Sequence, residues 1–319
     1  MSAFSCPACG SADGVARVGF GRRSVVECAR CRLMSTSPPL ARDEARRLYS
    51  DAYYSGNEAA RFRLGVAERA MRAFRRRRAR GLARALGGAA GKRILDVGCG
   101  RGFTLQELQA HGADVYGTQM SAPAVGVAEA LIGAGRVFLG ELSDAGYAPA
   151  SFDCVTLWHV LEHVPRPADL LIEVARVLKP GGLAYIEVPN AGGWTARTFG
   201  ADWLAWDVDH HVSHFKPATL VALAERVGLS CVREVHLSLE YSPATLTQTW
   251  LNRLLGGRND LFHALTFGGR MNAGERGPMP LPVHAAAAAI VFPAAVAISM
   301  WLAARRCGDT VGIYCRKPL

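Results

Sequence analysis

The sequence predicts an α/β fold: an open, mostly parallel sheet of seven strands with the last one antiparallel, a small cysteine-anchored ribbon ahead of it, and a helical insertion before the final strand. Three observations predict it. Ile94 to Val97 reads as a strand that runs into glycines at 98, 100 and 102 and then into a helical stretch, Thr104 to Ala110. Downstream, short apolar runs alternate with helical patterns, as repeated strand–helix–strand units require. Ahead of both, Cys6-Pro-Ala-Cys9 and Cys28-Ala-Arg-Cys31 form two C-x-x-C pairs eighteen residues apart.

The chain has 319 residues, half of them apolar, so it can bury a substantial core. Its nine cysteines, with no apolar segment at the N-terminus, are the pattern of a cytoplasmic protein, where paired thiols serve as metal ligands more often than as disulfides. The net charge of +10 is local, since ten arginines fall between Arg61 and Arg84 against the single Glu68. Such a stripe suits a phosphate-bearing partner or a solvated helix, and sequence does not choose between them.

Residues 1–40 read as a zinc ribbon. Cys6, Cys9, Cys28 and Cys31 supply the four thiolates of a tetrahedral Zn²⁺, and Val15 to Val26 forms the hairpin between the knuckles. With every position filled by protein, the metal has a structural role, and a unit of this size depends on it for stability. Pro38-Pro39 closes the ribbon. Residues 41–90 follow as a helical linker, with a tyrosine-bearing stretch from Arg42 to Tyr54 and then the arginine-rich helix.

Residues 91–319 form the main domain. Glycine at 98 and 100 allows close backbone approach to a ligand, and the next helix offers unpaired N–H groups. The spacing is G-x-G-x-G rather than the dinucleotide G-x-G-x-x-G, and Asp96 just ahead suits a cationic amino-acid ligand better than a pyrophosphate. Asp114 to Thr118, Arg136 to Phe138 and Phe152 to Leu157 are the second, third and fourth strands. A helix from Ala168 to Leu178 ends at Lys179-Pro180-Gly181-Gly182, and Leu183 to Val188 is the fifth. A helix from Pro217 to Val227, a sixth strand from Cys231 to Leu239 and a seventh from Thr310 to Lys317 complete the domain.

ILDVGCGRG, the segment Trp158-His159-Val160-Leu161-Glu162-His163-Val164-Pro165 after the fourth strand, and LKPGG together resemble the motifs of class I S-adenosylmethionine (SAM)-dependent methyltransferases, over residues 91 to 240 and the last strand. The resemblance implies a Rossmann-like sheet with SAM at the carboxyl ends of its strands. It places Asp96, Gly98, Cys99 and Gly100 at the amino-acid end of SAM, Gln119 with Met120 at the ribose, Glu141 and Leu142 at the adenine, and Trp158 beside the cofactor. Gln119 departs from the usual Asp or Glu and can bond a hydroxyl only without charge assistance. With its ribbon, the chain resembles bacterial proteins that join a zinc ribbon to such a domain.

Methyl transfer to a hydroxyl needs an in-line acceptor and a base. His159, or His211 or His214 from Asp209-His210-His211-Val212-Ser213-His214, is the candidate base. Alternatively His159, Glu162 and His163, at i, i+3 and i+4, hold a divalent metal, since H-x-x-E-H is similar to the E-x-x-E-H metal pattern of ubiquinone-pathway O-methyltransferases. A bracing role for Glu162 and His163 is an equal reading. Trp203 and Trp206 suit a cover over a cofactor or an apolar acceptor. Without an N-P-P-Y-like tetrad, and with Cys154 inside a strand, nucleic acid is disfavoured as acceptor.

The insertion spans 241–307. Ser242 to Phe267 is amphipathic, with Leu246, Trp250, Leu254 and Leu255 at helical spacing. Ala285 to Ala304 is twenty residues without charge, about 30 Å as a helix. A single crossing is excluded because the seventh strand must rejoin its sheet, so 285–304 is read as an interfacial or substrate-covering element in peripheral contact with a membrane, or else as a buried helix or dimer face. The sequence therefore predicts a SAM-dependent methyltransferase of a hydroxyl on a small-molecule or lipid-linked acceptor, cytoplasmic or at the inner face of the membrane. An RNA-modifying enzyme and a non-catalytic scaffold of the same fold are the alternatives.

Overall fold

The computed structural model describes residues 4–39, 65–267 and 278–319, and the stretch Arg42 to Tyr54 lies outside them. Three strands come first, β1 (Gly14–Phe20), β2 (Arg23–Cys28) and β3 (Met34–Ser37), and a helix, α1 (Gly65–Ala85), leads to the main domain. Strands and helices then alternate as β4 (Arg93–Val97), α2 (Phe103–Ala110), β5 (Asp114–Gln119), α3 (Ala122–Ile132), β6 (Val137–Leu139), β7 (Phe152–Trp158), α4 (Pro167–Val177) and β8 (Leu178–Pro189). After them come α5 (Trp194–Phe199), the short β9 (Ser213–His214), α6 (Pro217–Arg226) and β10 (Ser230–Val235). The insertion supplies α7 (Ser242–Leu255), α8 (Asp260–Phe267) and α9 (Leu281–Ala304), and β11 (Thr310–Arg316) ends the chain.

These elements form two compact units, one of residues 1–40, 188–219 and 235–312, the other of 41–187, 220–234 and 313–319. The division cuts across the sequence-based segments 1–40, 41–90 and 91–319, because the ribbon shares its unit with two later stretches of chain.

The large sheet runs β10-β11-β8-β7-β4-β5-β6. β4 pairs in parallel with β5 and β7, β5 with β6, and β7 with β8. At the far edge the N–H of Gly181 bonds the carbonyl of Lys317 and the N–H of Lys317 that of Gly182, while the N–H of Asn190 bonds Asp309. The start of β11 thus meets the end of β8 and its end the start of β8, so the last strand is antiparallel, as expected. β4 is covered on both faces, and Ile94 and Leu95 are fully buried, which is why the strand reads as a continuous apolar run.

β8 begins earlier than the sequence suggests. Leu178 pairs with Phe152 and the register then slips so that Leu183 faces Cys154, which folds the LKPGG turn into the strand. Gly181 takes φ +73°, and a Cβ on Gly182 would lie 2.8 Å from the carbonyl oxygen of Lys179. Lys317 locks this corner: its Nζ donates to the carbonyls of Ala175 (2.7 Å) and Leu178 (2.9 Å) at the end of α4. Lys317→Met should lower unfolding stability by about 1–2 kcal/mol, read from urea unfolding, because the freed carbonyls lose charge-assisted donors.

In the other unit β1, β2 and β3 form an antiparallel meander, and β9 joins it by pairing Ser213 and His214 with Ser35 and Met34. Val25 and Met34 pack with Trp203, Trp206, Ala205 and Val208 in one buried cluster. Trp203 and Trp206, expected as a cover for a ligand, are only 2% and 4% exposed and form the floor of the ribbon instead. A ribbon strand has one apolar face to bury, and the tryptophans supply the partner surface.

The insertion also departs from its sequence pattern. Leu246 is buried as expected, but Leu254 is 72% exposed while Thr245, Gln248, Thr249 and Asn252 of α7 are buried. Those polar groups form a network: Gln248 Nε2 donates to Asn252 Oδ1 (2.8 Å), Asn252 Nδ2 to Asp202 O (2.9 Å), and the N–H of Phe262 to Gln248 Oε1 (2.9 Å). Of the apolar stripe, Leu246 is buried, Trp250 and Leu255 are partly covered and Leu254 alone faces out, so α7 is buried on more sides than the stripe predicts.

Candidate functional site

The glycine loop sits between β4 and α2. Gly98, Gly100 and Gly102 have φ of +67°, +56° and +76°. A Cβ would come 2.6 Å from Val160 at Gly98 and 2.9 Å from Ala128 at Gly102, so packing excludes side chains there. At Gly100 a Cβ would meet nothing within 4 Å, so the backbone itself faces open space. No side chain caps α2, whose first N–H groups follow directly on this bend. Cys99 points inward with its sulfur against Gly117, and burial pushes its thiol pKa up, so it acts as packing and not as a nucleophile.

Asp96 ends β4 with its carboxylate buried, Oδ1 accepting from the Thr156 hydroxyl at 2.6 Å. Burial pushes its pKa up to about 6, although Thr156 and the positive charges of Arg75 and Arg78 act the other way. A buried carboxylate kept near its titration point beside an open backbone bend is prepared for a cationic ligand group.

Gln119 ends β5 buried, its Oε1 accepting from the N–H of Met120 (2.7 Å) and of Ser121 (3.4 Å). The carbonyl expected at a ribose thus braces its own turn. Met120, 58% exposed, is an apolar side chain held out at the strand end. Sequence reading missed Ser121, whose buried hydroxyl has no hydrogen-bond partner among the described residues, as is also true of Trp158 Nε1. Two such orphans at the carboxyl ends of β5 and β7 are what a site awaiting a polar ligand would show. Leu142 is fully buried in the core, leaving exposed Glu141 as the accessible member of that pair.

His159 stands just past β7 with φ +54°, a strained backbone for a side chain of this type, and its N–H donates to the carbonyl of Glu187. Its ring lies between two carboxylates: Nδ1 is 3.1 Å from Glu162 Oε1 and Nε2 is 3.2 Å from Glu187 Oε1. Glu187 also meets Arg78 Nη2 (3.2 Å) and accepts from Tyr185 Oη at 2.7 Å. Burial works against its charge, but Arg78 foremost, with His159 and Tyr185, holds its pKa down at about 2. Arg78 stacks on Trp158, 4.4 Å from the ring centroid, and Tyr185 packs on the same ring at 4.3 Å. Neither Glu187 nor Arg78 was legible as part of the clamp on His159, because Arg78 and Glu187 lie 109 residues apart and no local spacing joins either of them to His159.

Of the expected divalent-metal set, Glu162 and His163 hold ligand atoms within 4.8 Å of each other, while His159 turns both ring nitrogens to carboxylates. Part of the arginine stripe is also spent within the fold: Arg76 pairs with Glu107, Arg72 stacks on Phe103, and Arg78 is buried.

In the ribbon unit the sulfurs of Cys6 and Cys31 are 3.4 Å apart and those of Cys9 and Cys28 3.6 Å, with all four within 4.8 Å of one another. Each knuckle repeats one geometry. Ala8 and Cys9 donate backbone N–H bonds to the Cys6 sulfur, as Arg30 and Cys31 do to the Cys28 sulfur, and the residue after each pair, Gly10 or Arg32, has φ of +70° or +64°. Burial raises the Cys28 pKa, but these donors outweigh it and bring the thiol to about 6. Four thiols so placed match the donor set of tetrahedral zinc.

The downstream histidines tie the ribbon to its floor. His214 Nε2 lies 3.1 Å from Thr36 Oγ1, and Thr36 donates to the carbonyl of His211 at 2.7 Å. His211 Nδ1 is 2.9 Å from the Ala205 carbonyl, and His210 pairs with Asp207 at 2.8 Å. Arg23 bonds Asp209, and buried Glu27 gathers Arg17 (2.7 Å), Arg32 (3.1 Å) and Lys216 (3.1 Å). His211 and His214, read from sequence as candidate bases, hold structural contacts here.

A mostly parallel sheet whose antiparallel last strand slots between the fifth and sixth, with a glycine loop after its first strand, defines the class I SAM-dependent methyltransferase fold. Residues 69–234 match the methyltransferase domain family, and the chain belongs to it. It is similar to the ubiquinone biosynthesis O-methyltransferase of Klebsiella pneumoniae, 35% identical over 173 residues covering 50% of this chain and 70% of that one. The enzyme of the same name from Thiobacillus denitrificans is 35% identical over 167 residues, 49% and 71% of the two chains. Among solved structures, a candidate sarcosine dimethylglycine methyltransferase from Galdieria sulphuraria shares the fold with TM-score 0.52 at 15% identity, covering 86% of this chain and 98% of that one. SAM is therefore the methyl donor of this enzyme.

Proposed function

We propose that the protein transfers the methyl group of SAM to a hydroxyl of a small-molecule acceptor, with His159 taking the hydroxyl proton. The observation that carries this is the clamp of His159 between Glu162 and Glu187 beside the orphaned Trp158 Nε1. SAM, when bound, supplies an electrophilic methyl on a sulfonium, so the chain need only bind, orient and accept a proton. Asp96 holds the ammonium end, Gly100 admits it by open backbone, Gln119, Met120 and Ser121 flank the ribose, and Glu141 borders the adenine. Glu162 fixes the tautomer of His159, and Arg78, by holding Glu187, leaves Nε2 able to exchange that carboxylate for the acceptor hydroxyl.

Likeness to O-methyltransferases supports a hydroxyl acceptor, and the apolar surface of the insertion supports a lipid-linked one, reached from the cytoplasmic side. The four cysteines bind one structural zinc that shapes the ribbon and takes no part in the chemistry. The test is transfer of labelled methyl from SAM to simple catechols. His159→Ala should lower turnover about 100- to 10,000-fold with SAM affinity unchanged. Undiminished turnover would remove His159 from the chemistry, and no transfer by the intact chain to any hydroxyl acceptor, despite SAM binding, would favour the scaffold reading.

A further inference from the structure

α9 is built inside out. Its buried stripe holds the polar residues His284 and Ser299 together with Ala295 and Leu302, and His284 Nε2 lies 3.7 Å from Asp260 on α8. Its exposed surface is apolar throughout and runs round much of the helix: Ile290 is 78% exposed, Val283 and Trp301 stand out on the same side, and Phe292 and Met300 stand out on others. No Asp, Glu, Lys or Arg occurs in its 24 residues, and over its most apolar 18 residues the mean hydropathy reaches 2.1 with only 17% buried. The neighbouring helices share the feature in part. α7 turns Gln248 and Asn252 inward beside Leu246 and Leu251 and leaves Leu254 outward, and α8 exposes Leu265. Water around a helix selects the opposite arrangement, and hydrocarbon selects this one, because polar groups there must be satisfied within the protein.

From this arrangement we infer that the outer face of α9 seats the protein on an anionic bilayer surface, lying in the interface rather than across it. Three observations choose this occupant. The helix is about 36 Å long and is exposed on several sides without one Asp, Glu, Lys or Arg, so it lacks the charged rim that a protein partner would meet. Its exposed surface offers no side-chain hydrogen-bonding groups except the Trp301 indole, whereas protein interfaces carry about one hydrogen bond per 100–200 Å². At its C-terminal end Arg305 stacks 5.0 Å from the Trp301 ring centroid and Arg306 follows, an aromatic and cationic edge suited to lipid phosphates. The orientation is set by topology: β10 and β11, which flank the insertion, are neighbours in one sheet, so the chain leaves and returns on the same side. Pro293, which frees the carbonyl of Ala289, is tolerated at a depth that water reaches.

Flotation of the full chain with vesicles tests this without reference to the reaction. The protein should float with vesicles of phosphatidylcholine and phosphatidylglycerol in equal parts and more weakly with phosphatidylcholine alone. Ile290→Glu combined with Phe292→Glu should lower the partition coefficient about tenfold or more, with thermal melting and SAM affinity unchanged. Arg305→Ala with Arg306→Ala should remove the preference for the anionic vesicles and keep the neutral binding. Brominated or spin-labelled lipids should quench a component of the tryptophan emission that disappears in Trp301→Phe. The inference is overturned if the protein stays in solution with both vesicles, or if the double glutamate variant floats like the parent. It is equally overturned if sedimentation shows a dimer that the glutamates dissociate while neither protein floats, which would make a second copy the occupant.

Discussion

Asp96→Asn is expected to weaken SAM binding at least about 100-fold and, at the same time, to stabilise the ligand-free protein. Both effects come from one buried carboxylate. Its pKa of about 6 in the fold stands above the ~3.9 of an unfolded aspartate, so folding takes up a proton between about pH 4 and 6. Stability contributed by the protonated form is present at low pH and is lost as the pH rises through about 6, an effect of up to roughly 3 kcal/mol at neutral pH. Asparagine carries no such cost, so the variant should melt above the parent at neutral pH, and the gap should close toward pH 4. SAM binding runs with the opposite sign. The ammonium requires the ionised carboxylate, so affinity should be flat above about pH 6 and fall toward tenfold per unit below it. Calorimetry across pH, paired with thermal melts, reads both. A variant that binds SAM like the parent would show that the charge does not hold the donor.

The second large effect is expected at the ribbon. Metal analysis should find one zinc per chain, and Cys28→Ser or strong chelation should release it and unfold β1 to β3. Apparent binding energies of structural zinc, on the order of 10 kcal/mol, exceed anything so small a sheet can bury. The damage should not stop at the ribbon, because Trp203 and Trp206 pack beneath Val25 and Met34, and β9 pairs with β3. Near-ultraviolet circular dichroism should therefore lose the signal of buried tryptophan together with the metal. A metal-free chain with an unaltered spectrum and melt would show that the four thiols stand together without an ion.

The parts of this fold written in local pattern were readable. The glycine bend, the alternation of strands and helices and the two C-x-x-C knuckles fall within a few residues of one another, and their physics is local. Glu187 escaped notice because it lies in a strand and gains meaning only when β7 and β8 bring it to His159, with α1 adding Arg78. Trp203, Trp206 and His214 were open to a ligand-binding reading for the same reason: nothing near them in sequence announces that Thr36 and Val25 will meet them. Leu246 and Leu254 share a helical spacing, yet one is buried and one exposed, because Gln248 and Asn252 join Leu246 and Leu251 in the α7 interface. Where polar groups share the packed face, apolar periodicity gives only part of it.

The central claim is that the crevice at Gly98 to Gly100 receives the sulfonium donor, and calorimetric titration of the full chain with SAM at neutral pH tests it most directly. A single site per chain with micromolar affinity is the expected result, with S-adenosylhomocysteine competing for it. Absence of binding up to millimolar SAM, by a protein that remains folded, would contradict it.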